Sequence, residues 1–263
     1  MYKLDNTFAR SPFTVLLVGC GGTGGFLAEG LRRVLPPQAR LILVDHDRVE
    51  ERNLLRQNFT SQDIGRFKSE ALAYNLARKT GRPVGYSIFP VAMMSFDWNG
   101  LVLGCVDNGP ARRDIAQKFD EHIFYPRWWV DAGNGENYGQ ILIGNETRRL
   151  LDSFEQESET CLALPLPTIQ MPTLLAQAPR TRDCAEAVLA GEQGPTINQT
   201  MAALMLEAVL RLIEGTCSWM QLYLDMEAGS LVPVLATPEA VEGVTGIKKR
   251  KLMKKEKEVH YEF

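Results

Sequence analysis

The chain predicts an α/β fold, a mostly parallel sheet flanked by helices. Apolar runs of strand length alternate with amphipathic stretches of helical length. The first such run opens a helix through a cluster of glycines, and acidic or amide residues stand where the next runs end. Phe13 to Val18 reads as a buried strand, and Thr23 to Leu35 as a helix stopped by Pro36-Pro37. Arg40 to Val44 is the next strand, closed by Asp45-His46-Asp47. Ser61 to Lys79 carries helical spacing, with Ser61 as N-cap and Gly81 past its end. Val84 to Phe89 alternates like a strand, and Leu101 to Val106 is a third buried strand followed by Asp107-Asn108. Pro110 to Glu121 is a helix with proline near its first position. Trp128 to Asp131 and Tyr138 to Ile143 are further strands. In sheets of this Rossmann-like kind, ligands bind beyond the carboxyl ends of the strands, where the glycine cluster, Asp45, Asp47 and Asp107 all fall.

Asn145 to Gly194 is an irregular, proline-rich crossover segment that contains Cys161 and Cys184. Pro195 or Thr196 to Glu214 is a long amphipathic helix, and Gln221 to Leu224 and Leu231 to Leu235 pair as closing strands. The expected organisation is a nucleotide-binding part over 1–144, a crossover, helix and closing strands of the same domain over 145–247, and a small C-terminal extension over 248–263. That extension, Lys248 to Phe263, holds seven basic and three acidic residues of the 29 and 32 in the chain, so an acidic body carries a basic tail. The tail reads as a solvated terminus or as a docking segment for an acidic partner.

No apolar run approaches membrane-span length, and the N-terminus lacks a signal-peptide pattern. The five cysteines (Cys20, Cys105, Cys161, Cys184 and Cys217) are odd in number and form no CxxC pair, so neither a disulfide framework nor a cysteine zinc site is expected. A cytoplasmic protein with no membrane or nucleic-acid partner is the expectation.

The turn at Gly19, Gly21, Gly22 and Gly24 lets backbone approach a phosphate, with the helix N-terminus facing the anion. Dehydrogenases, flavoproteins and adenylating enzymes all use such loops. Residues beyond the turn narrow the choice. The chain reads GCGGTG, then DHD at 45–47, NLLRQ at 53–57, DIGRFK at 63–68 and DNGPAR at 107–112. This series resembles the signature of the ThiF/MoeB/E1-like family, the enzymes that activate ubiquitin and ubiquitin-like sulfur carriers. YGQ at Tyr138 to Gln140 also matches a family strand, and the likeness covers about Thr14 to Gly215. The compact length and short N-terminus look most like the ThiF-type proteins of bacterial PRTRC gene systems.

The resemblance implies an ATP-dependent adenylyltransferase that activates the C-terminal glycine of a ubiquitin-like protein. The residue chemistry is consistent with it. Attack on the α-phosphate with loss of pyrophosphate builds charge on the leaving group, which preplaced cations stabilise. Arg56 offers a planar donor fork and Lys68 a mobile point charge. Asp107 suits Mg²⁺, and Asp45, 21 residues after Gly24, suits the ribose hydroxyls. By resemblance, Asn53 and Gln57 complete the phosphate pocket, with Asn108 beside Asp107. Asp47 either joins them or caps the following turn, and Arg112 either joins them or braces its own helix.

Cys184, in the context DCAEA, looks like the family cysteine that takes the acyl group as a thioester and passes it to an E2-like acceptor. Arg180 and Arg182 would lower its pKa. Cys161 is its rival on the same segment. The resemblance further implies a homodimer and cofactors ATP and Mg²⁺ without zinc. One departure concerns the partner-subunit arginine of many relatives: only Arg10 precedes the loop. Trp128-Trp129 reads as core plus edge, or as a carrier-docking surface, and His46 as a local hydrogen-bonding residue. Two other classes remain open: an NAD-dependent oxidoreductase, which the glycine turn and Asp45 alone permit, and a non-catalytic E1-like scaffold subunit.

Overall fold

A computed structural model describes residues 1–121, 125–147, 150–176 and 196–254. In chain order its elements are β1 (Lys3–Leu4), β2 (Phe13–Val18), α1 (Gly22–Val34), β3 (Ala39–Val44), α2 (Lys68–Thr80), β4 (Gly85–Ser87), β5 (Gly100–Gly104) and α3 (Gly109–Glu121). These are followed by β6 (Arg127–Asn134), β7 (Tyr138–Gly144), β8 (Phe154–Glu155), β9 (Thr160–Cys161) and the single turn α4 (Pro167–Gln170). The remainder is α5 (Ile197–Glu214), β10 (Trp219–Asp225), β11 (Ser230–Leu235), α6 (Pro238–Thr245) and α7 (Lys249–Leu252). The main sheet has eight strands in the order β11-β10-β7-β6-β5-β2-β3-β4. The five from β6 to β4 are parallel, and β7, β10 and β11 extend them antiparallel.

Burial on both faces explains why the parallel strands read as unbroken apolar runs. All six residues of β2 and all five of β5 are buried. Alternate residues serve two cores. Val15, Leu17, Leu101, Leu103 and Trp128 pack with α1, α2 and α5 on one face. Leu16, Val18, Val102 and Trp129 pack with Ile115 and Phe119 of α3 on the other. The adjacent tryptophans are therefore core on opposite faces. Trp128 donates from Nε1 to the Asp5 carbonyl at 2.8 Å, and Trp129 stacks on Phe119 with centroids 6.2 Å apart. Neither presents a docking surface.

The helix expected from Ser61 begins later. Ser61–Asp63 form a 3-10 turn whose cap is Thr60, with Asp63 Oδ2 accepting from the Thr60 backbone N–H at 2.8 Å and hydroxyl at 2.9 Å. Gly65 then takes a left-handed conformation (φ 85°), which stops the helix path until Lys68. Asp63 also accepts from Asn75 Nδ2 at 3.0 Å, tying the turn to α2. Gly81 closes α2 as the sequence predicts.

The described part of the crossover holds more order than its composition suggests. Strand β9 pairs in parallel with β1 and antiparallel with β8, making a second small sheet from two-residue strands. The described part of the basic tail, through Lys254, lies against the body. Leu252 is fully buried, Met253 bridges Phe154, and the Lys254 N–H donates to the Phe154 carbonyl at 2.9 Å. Lys248 pairs with Glu242, Lys249 with Glu239 and Lys254 with Glu155. The acidic partner of these three lysines is the chain itself.

Candidate active site

The glycine turn is built by close approach. Gly19 sits at φ 93°, donates to the Val44 carbonyl at 2.9 Å, and would place a Cβ 2.5 Å from the Cys105 carbonyl oxygen. A Cβ on Gly24 would run into the Gly19 carbonyl. Gly19 and Gly24 thus let α1 begin against β5, and Gly21 and Gly22 line the cavity at the helix start. Gly19→Ala adds left-handed strain to a clash with backbone that cannot yield, costing about 2 kcal/mol or more. A thermal unfolding midpoint lowered by about 5 °C is expected for a chain of this size; an unchanged midpoint would show that the turn relaxes freely.

Above the carboxyl ends of β2, β3, β5 and β6 lies a cavity of about 960 Å³. Its wall includes Gly19, Gly21, Gly22, Asp45, Asp47, Asn53, Gln57, Lys68, Asp107 and Asn108. The fold thus gathers ten of the sequence-predicted residues around one space. Asp45 also closes the turn. Its Oδ2 accepts the Cys20 N–H at 2.7 Å and its Oδ1 the Asp47 N–H at 2.8 Å. Burial pushes its carboxyl pKa up, and Lys68 pulls the other way. Lys68, the first residue of α2, has a side chain only 11% exposed, with Nζ 3.1 Å from Asp47 Oδ2. Asp47 is therefore the counter-ion of Lys68. Its side chain does not cap the following turn, which Glu50 and Asn53 cap reciprocally, the Glu50 N–H donating to Asn53 Oδ1 at 2.9 Å. Gln57 is buried, and its Oε1 has no hydrogen-bond partner among the described residues.

Asp107 is exposed at the end of β5, with Oδ1 accepting from Asn108 Nδ2 at 3.2 Å. Asn108 in turn accepts the Ala111 N–H at 2.9 Å, so it also caps α3. Among the described residues no three His, Cys, Asp or Glu side chains cluster to hold a metal. A cation here would take Asp107 together with oxygens of a bound phosphate, a hard-oxygen set that suits Mg²⁺.

Other expected residues lie elsewhere. Arg56 ends the 3-10 turn Glu51–Leu55, half-buried and off the cavity wall, and Gly24 is likewise off it. The arginine of that turn which does reach the wall is Arg52, ion-paired to Glu50 at 2.7 Å. Arg112 also borders the cavity but is fully buried, with Nε 2.9 Å from Asp131 Oδ1 and Nη2 3.3 Å from the Ala132 carbonyl. Arg10 is exposed and not on the wall. Cys184, Arg180 and Arg182 fall outside the described residues. Cys161 is fully buried in β9, where desolvation pushes its thiol far above the ordinary range. Sequence reading missed Thr23, Asn134 and Asn198, which meet on the wall from α1, β6 and α5. Their sequence separations leave no local spacing to find.

A glycine turn between a buried strand and a helix, an acid at the neighbouring strand end and a cavity over a parallel sheet define a Rossmann-like α/β protein. Residues 8–81 match the model of the ThiF family. The chain is 30% identical over 169 residues to ubiquitin-like modifier-activating enzyme 5 of Arabidopsis thaliana, covering 55% of this chain and 38% of that protein. With the Gallus gallus enzyme of the same name it is 31% identical over 157 residues, covering 51% and 38%. Among solved structures it is similar to PaaA (TM-score 0.58, 15% identity) and to E. coli MccB crystallised with ATP (TM-score 0.57, 14% identity). Each likeness covers 87% of this chain and 64% of the other, and shows the shared fold. The chain thus spans 38% of the length of the curated relatives it matches.

Proposed function

We propose that this protein is an E1-like adenylating enzyme that uses ATP to activate the terminal carboxylate of a ubiquitin-like protein or peptide. The observation that carries this reading is the convergence of the glycine turn, Asp45, Lys68 and Asp107 on one cavity. In the reaction, a carboxylate oxygen attacks the α-phosphorus. A bond to that oxygen forms, the bond to the bridging oxygen breaks, and its electron pair leaves on pyrophosphate. The first N–H groups of α1 face the α-phosphate, which the helix dipole favours. The second lone pairs of the Asp45 oxygens take ribose hydroxyls. Lys68 sits where charge builds on the leaving phosphates, held out of contact with bulk water by its burial. Arg52 is the arginine of the same wall, and it takes over the phosphate role that the resemblance gives to Arg56. Bound Mg²⁺ would supply charge neutralisation at the phosphates, with Asp107 as its protein ligand. The relatives named modifier-activating enzyme support the substrate class, and the match of residues 8–81 to the ThiF family model argues against the oxidoreductase alternative. Incubating the protein with ATP and a ubiquitin-fold protein ending in glycine should yield an AMP-modified carrier in an intact-mass spectrum. Absence of that adduct with a carrier that a known activating enzyme adenylates would remove the reading.

A subsequent thioester on Cys184 is part of the same proposal. The thiolate is the attacking species, so an eligible cysteine needs a low pKa and access. Burial pushes Cys217 up to about 11 and raises the Cys20, Cys105 and Cys161 thiols well above their ordinary value. Cys184 is the cysteine that the resemblance points to, and it is the nucleophile of this reading. The native protein should therefore show a single fast-reacting thiol toward Ellman's reagent at pH 7.5, lost in Cys184→Ala. A fast thiol that persists in the variant would contradict the assignment.

A further inference from the structure

Lysine carries a point charge on a flexible four-carbon stem, so the aim of Lys68 has to come from where its backbone is held. Between the Thr60-capped turn and α2, the chain passes through Gly65 in its left-handed conformation and reaches Lys68 by way of Arg66 and Phe67. Packing does not hold this linker at Gly65, where a Cβ would meet nothing within 4 Å. Instead it lies antiparallel against the chain that leaves β3. The Gly65 N–H donates to the Val49 carbonyl at 2.8 Å, the Val49 N–H to the Arg66 carbonyl at 2.9 Å, and the Lys68 N–H to the Asp47 carbonyl at 2.8 Å. Arg48 and Phe67 are direct partners across this bridge, which puts their side chains next to each other. The Arg48 guanidinium lies 4.0 Å from the centroid of the Phe67 ring, and Nη1 donates to the Gly65 carbonyl at 2.5 Å. One side chain thus holds both the left-handed residue of the linker and the residue before Lys68. Arg48 is exposed and borders the cavity beside Asp47 and Lys68.

We propose that Arg48 is a positioning residue for Lys68, clamping the Gly65–Phe67 linker and so setting where Nζ stands over the cavity. The inference rests on the adenylation reading and adds to it a residue that acts through Lys68 rather than on the nucleotide. A planar guanidinium can stack on a ring and donate from its edge at the same time, which an ammonium does not reproduce. A glycine in the linker has more backbone freedom to lose than any other residue, so a clamp there has the most to fix. Misplacement of a preorganised group by about 1 Å is enough to cost about a hundredfold in rate, so modest loosening of the linker is felt at the phosphates.

The test needs no carrier. An acyl-phosphate derivative of ATP acylates a lysine beside its terminal phosphate: the amine nitrogen attacks the acyl carbon, an amide bond forms, the bond from that carbon to the phosphate oxygen breaks, ATP leaves, and the amine proton passes to water. Peptide mapping follows the rate at Lys68 with saturating probe, isothermal titration gives ATP affinity, and thermal unfolding reports the fold. In the wild type Lys68 should be acylated, and excess ATP should block it. Arg48→Ala and Phe67→Leu should each slow that acylation by about tenfold, with ATP affinity changed by less than about twofold and the unfolding midpoint unmoved. The double variant should be no slower than the slower single one, because both substitutions open one clamp. Undiminished acylation in Arg48→Ala overturns the proposal, as do additive losses in the double variant. A matching loss of ATP affinity overturns it by assigning Arg48 to the nucleotide, and slowing found only with a lowered midpoint overturns it by assigning Arg48 to the fold. These results leave the adenylation reading in place. Failure of the wild type to bind ATP overturns that reading together with the proposal.

Discussion

Lys68→Ala lowers carrier-dependent pyrophosphate exchange by about two to three orders of magnitude, the loss expected on removing one preorganised charge from a developing anion. The side chain lies on the wall at the N-terminus of α2, in a setting where water screens it little. Removing it also leaves Asp45 and Asp47 facing the phosphates uncompensated. Arg56→Ala is the informative contrast. Because Arg56 is off the wall, its loss should cost less than about tenfold, while Arg52→Ala costs more. An acid shift accompanies the lysine variant. Burial already raises the Asp45 pKa and Lys68 opposes that rise, so without the lysine Asp45 protonates at a higher pH. The acid limb of the residual activity then moves upward in pH. Near-normal exchange in Lys68→Ala would remove its role at the phosphates.

The largest stability effect is expected at Arg112 and Asp131. Both side chains are 1% exposed and joined at 2.9 Å, so each is the other's compensation in a dry wall between α3 and β6. Burial pushes the Asp131 carboxyl up, and Arg112 is the group that draws it back. Arg112→Met leaves a buried carboxylate without its counter-charge and destabilises by about 3–5 kcal/mol. At about 2–4 °C per kcal/mol, the unfolding midpoint falls by roughly 10 °C. Asp131→Asn does similar damage from the other side. The double variant Arg112→Met/Asp131→Leu should recover much of the loss, because a matched apolar pair carries no desolvation cost. Equal, additive losses in the double variant would show that the pair is not coupled.

The parts of the architecture set by local pattern were readable from the chain. Residues 13–18 are a strand with the predicted bounds because both faces of β2 are covered, which demands unbroken apolarity. The start of α2 was not readable, because Asp63 and Gly65 favour a capped turn over helix that apolar spacing alone would continue. Two-residue strands such as β1 and β9 leave no period to detect, and they exist only because the two distant segments meet. Within the site, Asp45 and Asp107 follow from their positions at strand ends. That Arg52 lines the cavity and Arg56 does not was not legible, since the Glu50–Asn53 capping box shapes the turn that carries both. Thr23, Asn134 and Asn198 are brought together only by tertiary packing of α1, β6 and α5.

The central claim is that a nucleotide held over the glycine turn is attacked at its α-phosphate by a protein or peptide carboxylate. ATP–pyrophosphate exchange, measured with and without a glycine-ended ubiquitin-fold carrier, addresses it most directly. Label should enter ATP only when the carrier is present, and truncation of the carrier's last glycine should stop it. Exchange at background with an intact carrier, in protein shown to bind ATP, would contradict the account.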